Sequence, residues 1–188
     1  ELSHEFIIKI HSALVQNIDP RIGYRKTDIR VIHSNFDATP APYVKTDMDL
    51  LLKWYHKNKE SPSQQATGDS LSLQLDDGND RKKSVKPNWS NKEKLHPLVL
   101  ATIFHHKFEK IHPFMDGNGR TGRMLFNYIL LKNNYPPIVI HKKTRAEYLK
   151  ALRSADLSDL TKASKENYSK LVRYCAEEMV SSYWNIFL

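Results

Sequence analysis

The chain has 188 residues, of which 40% are hydrophobic and 27% charged, with a net charge of +8. These values are typical of a globular domain with one sizeable core. The longest apolar runs, residues 98–104 and 124–131, are too short to cross a bilayer, and no secretory pattern opens the chain. We therefore expect a cytoplasmic protein that has no membrane partner. The basic residues are mixed with acids rather than set among aromatic side chains, so we expect no nucleic-acid partner.

One cysteine, Cys175, is present. A single cysteine cannot form an internal disulfide, and its helical apolar surroundings favour a place in the core over a catalytic role. The sequence opens at Glu1 without an initiator methionine. We interpret residues 1–188 as a single domain and expect it to be a fragment of a longer protein.

The first half of the chain combines helical and irregular patterns. Residues 2–17 have apolar positions at helical spacing, and residues 17–23 are rich in turn formers. Residues 28–34 alternate in a way that predicts a short strand. Because Pro40 and Pro42 exclude a central strand, residues 29–43 are interpreted as a hairpin with an exposed edge. Residues 47–56 are helical, with Thr46 or Asp47 as the expected cap.

Residues 59–92 are dominated by polar side chains and are interpreted as an insertion or a small hairpin. Helical periodicity returns over residues 95–111 and 120–132, and prolines 136 and 137 end the second of these helices. Residues 138–140 form a short extended run, and residues 144–154 and 160–184 are again helical in pattern. The sequence therefore predicts a mainly α domain, a helical bundle with one short β-hairpin.

One segment concentrates the residues that can do chemistry. Residues 112–123 read His-Pro-Phe-Met-Asp-Gly-Asn-Gly-Arg-Thr-Gly-Arg. The glycines permit tight turning and close approach to a ligand, and a helix that starts here offers free N–H groups to an anion. Arg120 and Arg123 share one helix face and suit a polyphosphate. Asp116 is an oxygen ligand of the kind that Mg²⁺ prefers, and His112 can take up a proton near neutral pH.

Each of these features also has an ordinary structural interpretation. The glycines could form a simple turn between helices, the arginines a solvated face, and Asp116 an N-cap. Their occurrence together within twelve residues favours a functional site. The glycines also match G-x-G-x-x-G, but the dinucleotide fingerprint requires a preceding strand and a later acid, which are lacking. His105 and His106 could suggest a metal site with Asp116, although core positions fit their spacing better.

The same segment resembles the signature of the Fic (filamentation induced by cAMP) family, H-P-F-x-D/E-G-N-G-R-x-x-R, at every position. The likeness extends to residues 23–25 and 31–42, to Leu95-His96-Pro97, to residues 134–137 and to residues 148–152. It leaves out residues 59–92. The resemblance implies a Fic-type helical bundle that transfers AMP from ATP to a Ser, Thr or Tyr hydroxyl of a target protein and releases pyrophosphate.

The resemblance also implies a role for each matching residue. His112 would be the general base, and Asp116 would hold Mg²⁺ against the phosphates. The anion hole would be formed by Asn118 and by the backbone around Gly117 and Gly119. The β- and γ-phosphates would be gripped by Arg120 and Arg123, and Tyr148 would line the adenine pocket.

A flap is expected to dock the target protein as an added β-strand. Its residues are Ile32, His33, Ser34, Asn35, Phe36, Asp37, Ala38, Thr39, Pro40, Ala41 and Pro42. A second copy of the chain is kept as a further candidate partner.

Several alternatives stay open at this point. Gly119 stands where a phosphorylating branch has lysine, which favours AMP transfer, but donors such as CDP-choline or UTP remain compatible with the motif. Many relatives carry an inhibitory helix with Ser/Thr-x-x-x-Glu-Gly/Asn, and no segment here matches it. We expect that helix upstream of Glu1 or on a partner; its glutamate could also enable removal of AMP. A non-catalytic nucleotide-binding adaptor is the remaining alternative.

Overall fold

The computed structural model describes residues 1–18, 21–31, 36–59, 95–156 and 165–187. The predicted insertion at 59–92 therefore lies almost wholly outside the described residues, as do flap residues 32–35. The described chain forms helices α1 (His4–Val15), α2 (Val44–Asn58), α3 (Pro97–Ile111), α4 (Asn118–Lys132), α5 (Arg145–Ser154) and α6 (Lys165–Phe187). Short 3₁₀ turns at Ala41–Tyr43 and Lys142–Thr144 lead into α2 and α5.

Helix α3 is the centre of the bundle. Almost all of its side chains are buried, and it packs against α2, α4 and α6, while α1 lies on α4 and α5 on α6. A helix that is buried around most of its circumference needs such neighbours on several sides. The end of α3 and the start of α4, between which the motif lies, are therefore anchored in the core of the bundle.

Local capping explains where these helices begin. The Ser3 hydroxyl accepts a hydrogen bond from the Phe6 N–H, at 3.2 Å, and so caps α1. Pro97 occupies the first turn of α3, where its missing N–H is not needed, and the His96 ring accepts from the Leu98 N–H at 3.2 Å.

Helix α2 begins before the predicted residue, so the expectation that Thr46 or Asp47 caps it was wrong. The 3₁₀ turn over Ala41–Tyr43 feeds directly into Val44, because Pro42 sets the backbone for a helical start. The Asp47 carboxylate instead accepts a hydrogen bond from the Thr39 hydroxyl, at 2.6 Å.

The predicted β-hairpin is not found among the described residues. Residues 28–31 and 36–40 have irregular backbone, and Ala41 and Pro42 belong to the 3₁₀ turn. Within the described residues 28–31, the alternation reflects one partly buried side, since Ile29 and Val31 are half-buried on either side of the exposed Arg30. The mainly helical prediction is confirmed, and the hairpin over residues 29–43 stays a prediction, with residues 32–35 outside the described part of the chain.

Two further expectations concern single residues and membranes. Cys175 is buried in the core, as predicted, and burial raises the pKa of its thiol to about 12, so it is uncharged at neutral pH. Over the described parts of the chain, no helix has the length and apolar character needed to cross a membrane.

Candidate active site

The motif forms the connection between α3 and α4. Helix α3 ends on His112, whose φ is +52° in the left-handed region, and its N–H donates to the Phe108 carbonyl at 3.0 Å. Helix α4 begins after Gly117, whose φ is +77°. Non-glycine residues in this region are uncommon and concentrate at functional sites. The two left-handed residues reverse the chain within a few positions and bring the end of α3 next to the start of α4.

The His112 ring is oriented by its own helix. Its Nδ1 lies 3.1 Å from the Glu109 carbonyl oxygen, and because a carbonyl can only accept, Nδ1 must carry the proton. Nε2 is therefore left with its lone pair when the ring is neutral. Burial lowers the pKa of His112, and the Arg25 guanidinium lowers it further, against opposing effects of the Glu109 carbonyl and Asp116. The ring is thus a neutral base at neutral pH.

Asp116 lies on the exposed side of the loop, with 57% of its side chain accessible. Its Oδ1 accepts from the Gly117 N–H at 2.6 Å, and its Oδ2 lies 3.4 Å from an Arg120 guanidinium nitrogen. A carboxylate has about four lone-pair sites, so these two contacts leave oxygen positions directed to solvent. Asp116 is therefore able to ligate a cation.

Gly117 and Asn118 shape the loop from inside. A Cβ built on Gly117 would lie 2.6 Å from the Val15 side chain, so α1 approaches too closely for any other residue. The buried Asn118 amide accepts from the Phe114 N–H at 2.9 Å and donates to the Phe114 carbonyl at 2.8 Å. Asn118 thus closes the loop on itself, and its predicted part in an anion hole stays a prediction.

The two arginines of the motif have different surroundings. Arg120 donates to the Leu14 carbonyl at 3.3 Å, at the end of α1, and also contacts Asp116. Arg123 lies along α4, where a Cβ on Gly119 would come within 3.2 Å of its guanidinium. With Arg120 directed to the loop and Arg123 one turn further, two cations line the start of α4.

Tyr148 reaches the same region from α5. Its hydroxyl lies 2.6 Å from Nε2 of the buried His105, and Tyr148, His105 and Arg123 line a cavity of about 10 Å³. Such a volume accommodates about one water molecule, so this cavity cannot hold an adenine ring. The role of Tyr148 at the adenine stays a prediction, and the structure adds a contact with His105.

The paired histidines of α3 are core residues. The buried His106 ring lies 3.1 Å from the Tyr168 hydroxyl and 3.1 Å from an Asp156 carboxylate oxygen. Across the described part of the chain, no group of three or more potential metal ligands is found. The predicted core positions of His105 and His106 agree with their burial.

Two residues that the motif does not contain hold it in place. The His11 ring stacks on Phe114 with centroids 3.7 Å apart, and its Nε2 donates to the Asp116 carbonyl at 3.0 Å. Arg25 donates through Nε to the His112 carbonyl at 2.8 Å. The sequence offered a weak signal for His11, which interrupts the apolar face of α1, and none for the partners of Arg25.

Comparison with known proteins identifies the family that the motif resembles. A model of the Fic/DOC family matches residues 76–130, so the match begins inside the segment interpreted as an insertion. The protein adenylyltransferases fic-1 of Caenorhabditis briggsae and Caenorhabditis elegans are 37% and 27% identical over 186 residues, 97% of this chain. The chain spans 30% of the length of each of these relatives.

The fold is likewise shared with solved structures. A Fic domain containing signalling protein from Bacteroides thetaiotaomicron superposes with a TM-score of 0.72 at 23% identity, over 96% of this chain and 60% of that one. The complete signature on the α3–α4 connection, the family match and the shared fold lead to one conclusion: this chain belongs to the Fic/DOC family.

Proposed function

We propose that this chain is a protein adenylyltransferase that moves AMP from ATP to a Ser, Thr or Tyr hydroxyl of another protein. The observation that carries the proposal is the His112 ring, whose Nδ1 is held by the Glu109 carbonyl so that Nε2 keeps its lone pair, on the connection that leads into the start of α4. The relatives named protein adenylyltransferase support the same activity. A general base is what this reaction requires, because an uncharged hydroxyl is a weak nucleophile.

In the proposed reaction, the target hydroxyl gives its proton to Nε2 of His112 as its oxygen attacks the α-phosphorus of ATP. The bond to the β-phosphate oxygen breaks, and pyrophosphate leaves. The hydrogen bond from Nδ1 to the Glu109 carbonyl holds the ring in one orientation and stabilises the imidazolium that forms. Positioning and charge stabilisation therefore supply most of the rate enhancement.

The start of α4 would bind the phosphates. Its free N–H groups and the positive end of its dipole attract anions, and Arg120 and Arg123 add two permanent cations. The Asp116 carboxylate fits Mg²⁺, which is bound through one or two carboxylates together with substrate phosphates rather than by an all-protein cage. When bound, Mg²⁺ would neutralise charge on the phosphates; Asp116 would orient it.

The target protein would dock beside this site. Residues 36–39 of the flap approach the motif through Arg25, which binds the Thr39 carbonyl and the His112 carbonyl with one guanidinium. An extended target segment paired with the flap would place its hydroxyl near His112, in the manner of an added strand.

The test is the fate of the label from two forms of ATP. The chain is incubated with Mg²⁺, a cell lysate and ATP labelled at either the α- or the γ-phosphate, beside His112→Ala and the control His56→Ala. His56 is a matched histidine on α2 whose ring contacts the Leu2 carbonyl. We expect protein label from α-labelled ATP alone, retained in His56→Ala and lost in His112→Ala.

Two other outcomes would overturn the proposal. Label from the γ-phosphate would mean phosphorylation and an opposite nucleotide orientation. No label from either form, despite ATP binding, would favour the nucleotide-binding adaptor or another nucleotide donor. Removal of AMP from proteins is a separate activity that requires a glutamate outside the described site, and the same assay with pre-labelled protein would detect it.

A further inference from the structure

Arg25 is a buried cation whose hydrogen bonds all go to backbone carbonyls, with the Asp28 carboxylate 3.9 Å from one guanidinium nitrogen. The residue is only 4% exposed, and its backbone N–H donates to the Pro113 carbonyl at 2.8 Å. Its guanidinium donates to the carbonyls of Thr27, Thr39, Ile111 and His112. A buried guanidinium has to satisfy its donors inside the protein, and here it does so with carbonyls from three separate segments.

The first pair of these carbonyls belongs to the catalytic base and its neighbour. Nε lies 2.8 Å from the His112 carbonyl and one terminal nitrogen lies 3.3 Å from the Ile111 carbonyl. The last carbonyls of a helix have no intrahelical partner, and a cation is favourable beside them. Arg25 thus caps α3 from outside and fixes the peptide that carries the His112 ring.

The second pair belongs to Thr27, which precedes the flap, and to Thr39, which lies within it. One terminal nitrogen lies 3.0 Å from the Thr27 carbonyl and the other binds the Thr39 carbonyl. The chain between Thr27 and Thr39 therefore leaves and returns to the same planar group. Asp28 reinforces this closure, since its carboxylate accepts from the Ala41 N–H at 2.6 Å.

We propose that Arg25 is a positioning residue that sets the distance between the flap and His112. The inference rests on the proposed function, because it assumes that the flap docks a target whose hydroxyl must meet Nε2. Because the planar guanidinium binds the end of α3 and the flap at the same time, it holds the two segments in a fixed relative position. A shift of about 1 Å between base and nucleophile is enough to cost on the order of 10²-fold in rate.

The Arg25→Lys variant tests whether the planar guanidinium of Arg25, and not only its positive charge, is needed. Lysine keeps a cation at the end of α3 but has no planar fork and cannot reach the four carbonyls together. We expect transfer of α-label to lysate proteins to fall by about 10²-fold, with the ATP dissociation constant within about twofold of the unmodified chain, because Arg25 contacts no predicted phosphate-binding side chain. Arg153→Lys, at an exposed position on α5, is the matched control and should behave like the unmodified chain.

Asp28→Ala removes the hydrogen bond to the Ala41 N–H and the 3.9 Å contact with the Arg25 guanidinium, and leaves the hydrogen bonds from Arg25 to the end of α3 in place. Water can replace the target hydroxyl and release free AMP, and this reaction needs no flap. We therefore expect Asp28→Ala to reduce AMP transfer to protein more than the release of free AMP. Arg25→Lys should reduce both. Asp28→Asn keeps an oxygen acceptor for the Ala41 N–H and should restore protein transfer. Equal loss of ATP binding and transfer in Arg25→Lys, or transfer within twofold of the unmodified chain, would overturn the positioning role.

A readout without catalysis keeps the inference testable if the chain transfers no AMP at all. The His112 ring signals and the amide exchange of Thr39 and Ala41 can be followed by NMR. We expect Arg25→Lys to change both the ring signals and the exchange, and Asp28→Ala to change only the exchange. Unchanged His112 signals in Arg25→Lys would refute the coupling, whereas absent transfer by the unmodified chain would refute only the proposed function.

Discussion

Alanine at Gly117 should destabilise the protein through two separable effects. Its φ of +77° lies in the left-handed region, which costs an L-residue about 1–2 kcal/mol. An added Cβ would also lie 2.6 Å from Cγ1 of Val15. Because the valine side chain is stiff at χ1, the clash must be relieved by backbone movement, at about 1–3 kcal/mol for overpacking.

The two effects together predict a loss of about 2–5 kcal/mol in the free energy of unfolding. For a chain of this length, each kcal/mol lowers Tm by about 2–4 °C, so the expected decrease is roughly 4–20 °C. The assay is thermal unfolding followed by circular dichroism, with denaturant unfolding of the same variant as an independent measure of the free energy.

Gly23→Ala is the matched control. Gly23 also has a positive φ, of +91°, but a Cβ there would meet nothing within 4 Å. It should therefore show only the backbone cost of about 1–2 kcal/mol. Equal destabilisation by the two substitutions would refute the argument that the close approach of α1 demands glycine at position 117.

Three further predictions concern titration and buried hydrogen bonds. Because the pKa of His112 is lowered from its usual 6.5, the acidic limb of the kcat/KM profile for label transfer should lie below pH 6.5, and a limb above it would contradict the neutral base. Burial raises the pKa of Glu109 from 4.5 to about 7, so the folded state holds its proton longer than the unfolded state. The free energy of unfolding should therefore fall by roughly 3 kcal/mol as the pH rises from 4.5 to about 7. Glu109→Gln should remove that fall in denaturant titrations. Tyr148→Phe leaves the buried His105 Nε2 without its partner and should cost about 1–3 kcal/mol in the same titrations; an unchanged midpoint would show that the contact contributes nothing.

The contiguous part of the site could be predicted from the sequence. His112, Asp116, Gly117 and Arg120 lie within nine residues, and the geometry of a helix end followed by a helix start depends on local backbone conformation. Helical periodicity also predicted the positions of most helices, because one face of each must be buried. The start of α2 was misplaced, since the 3₁₀ turn at Pro42 and the contact of Thr39 with Asp47 decide it.

The predicted hairpin shows what an alternating pattern alone leaves undecided. Residues 28–31 alternate as a strand does, but a strand needs a partner that donates and accepts hydrogen bonds, and alternation alone does not supply one. Here Asp28 binds the Ala41 N–H through its side chain. The loop is thus closed by side chains in its described part.

The sequence by itself determined which residues the motif brings together: a histidine, a carboxylate and two arginines lie within twelve positions, in a form that needs only a helix end to present them. The tertiary structure decided how that chemistry is held. His11 reaches Asp116 across 105 positions and Arg25 reaches His112 across 87. Such contacts depend on which helices pack together, and a side-chain pattern reports only which face of a helix is buried, not what covers it.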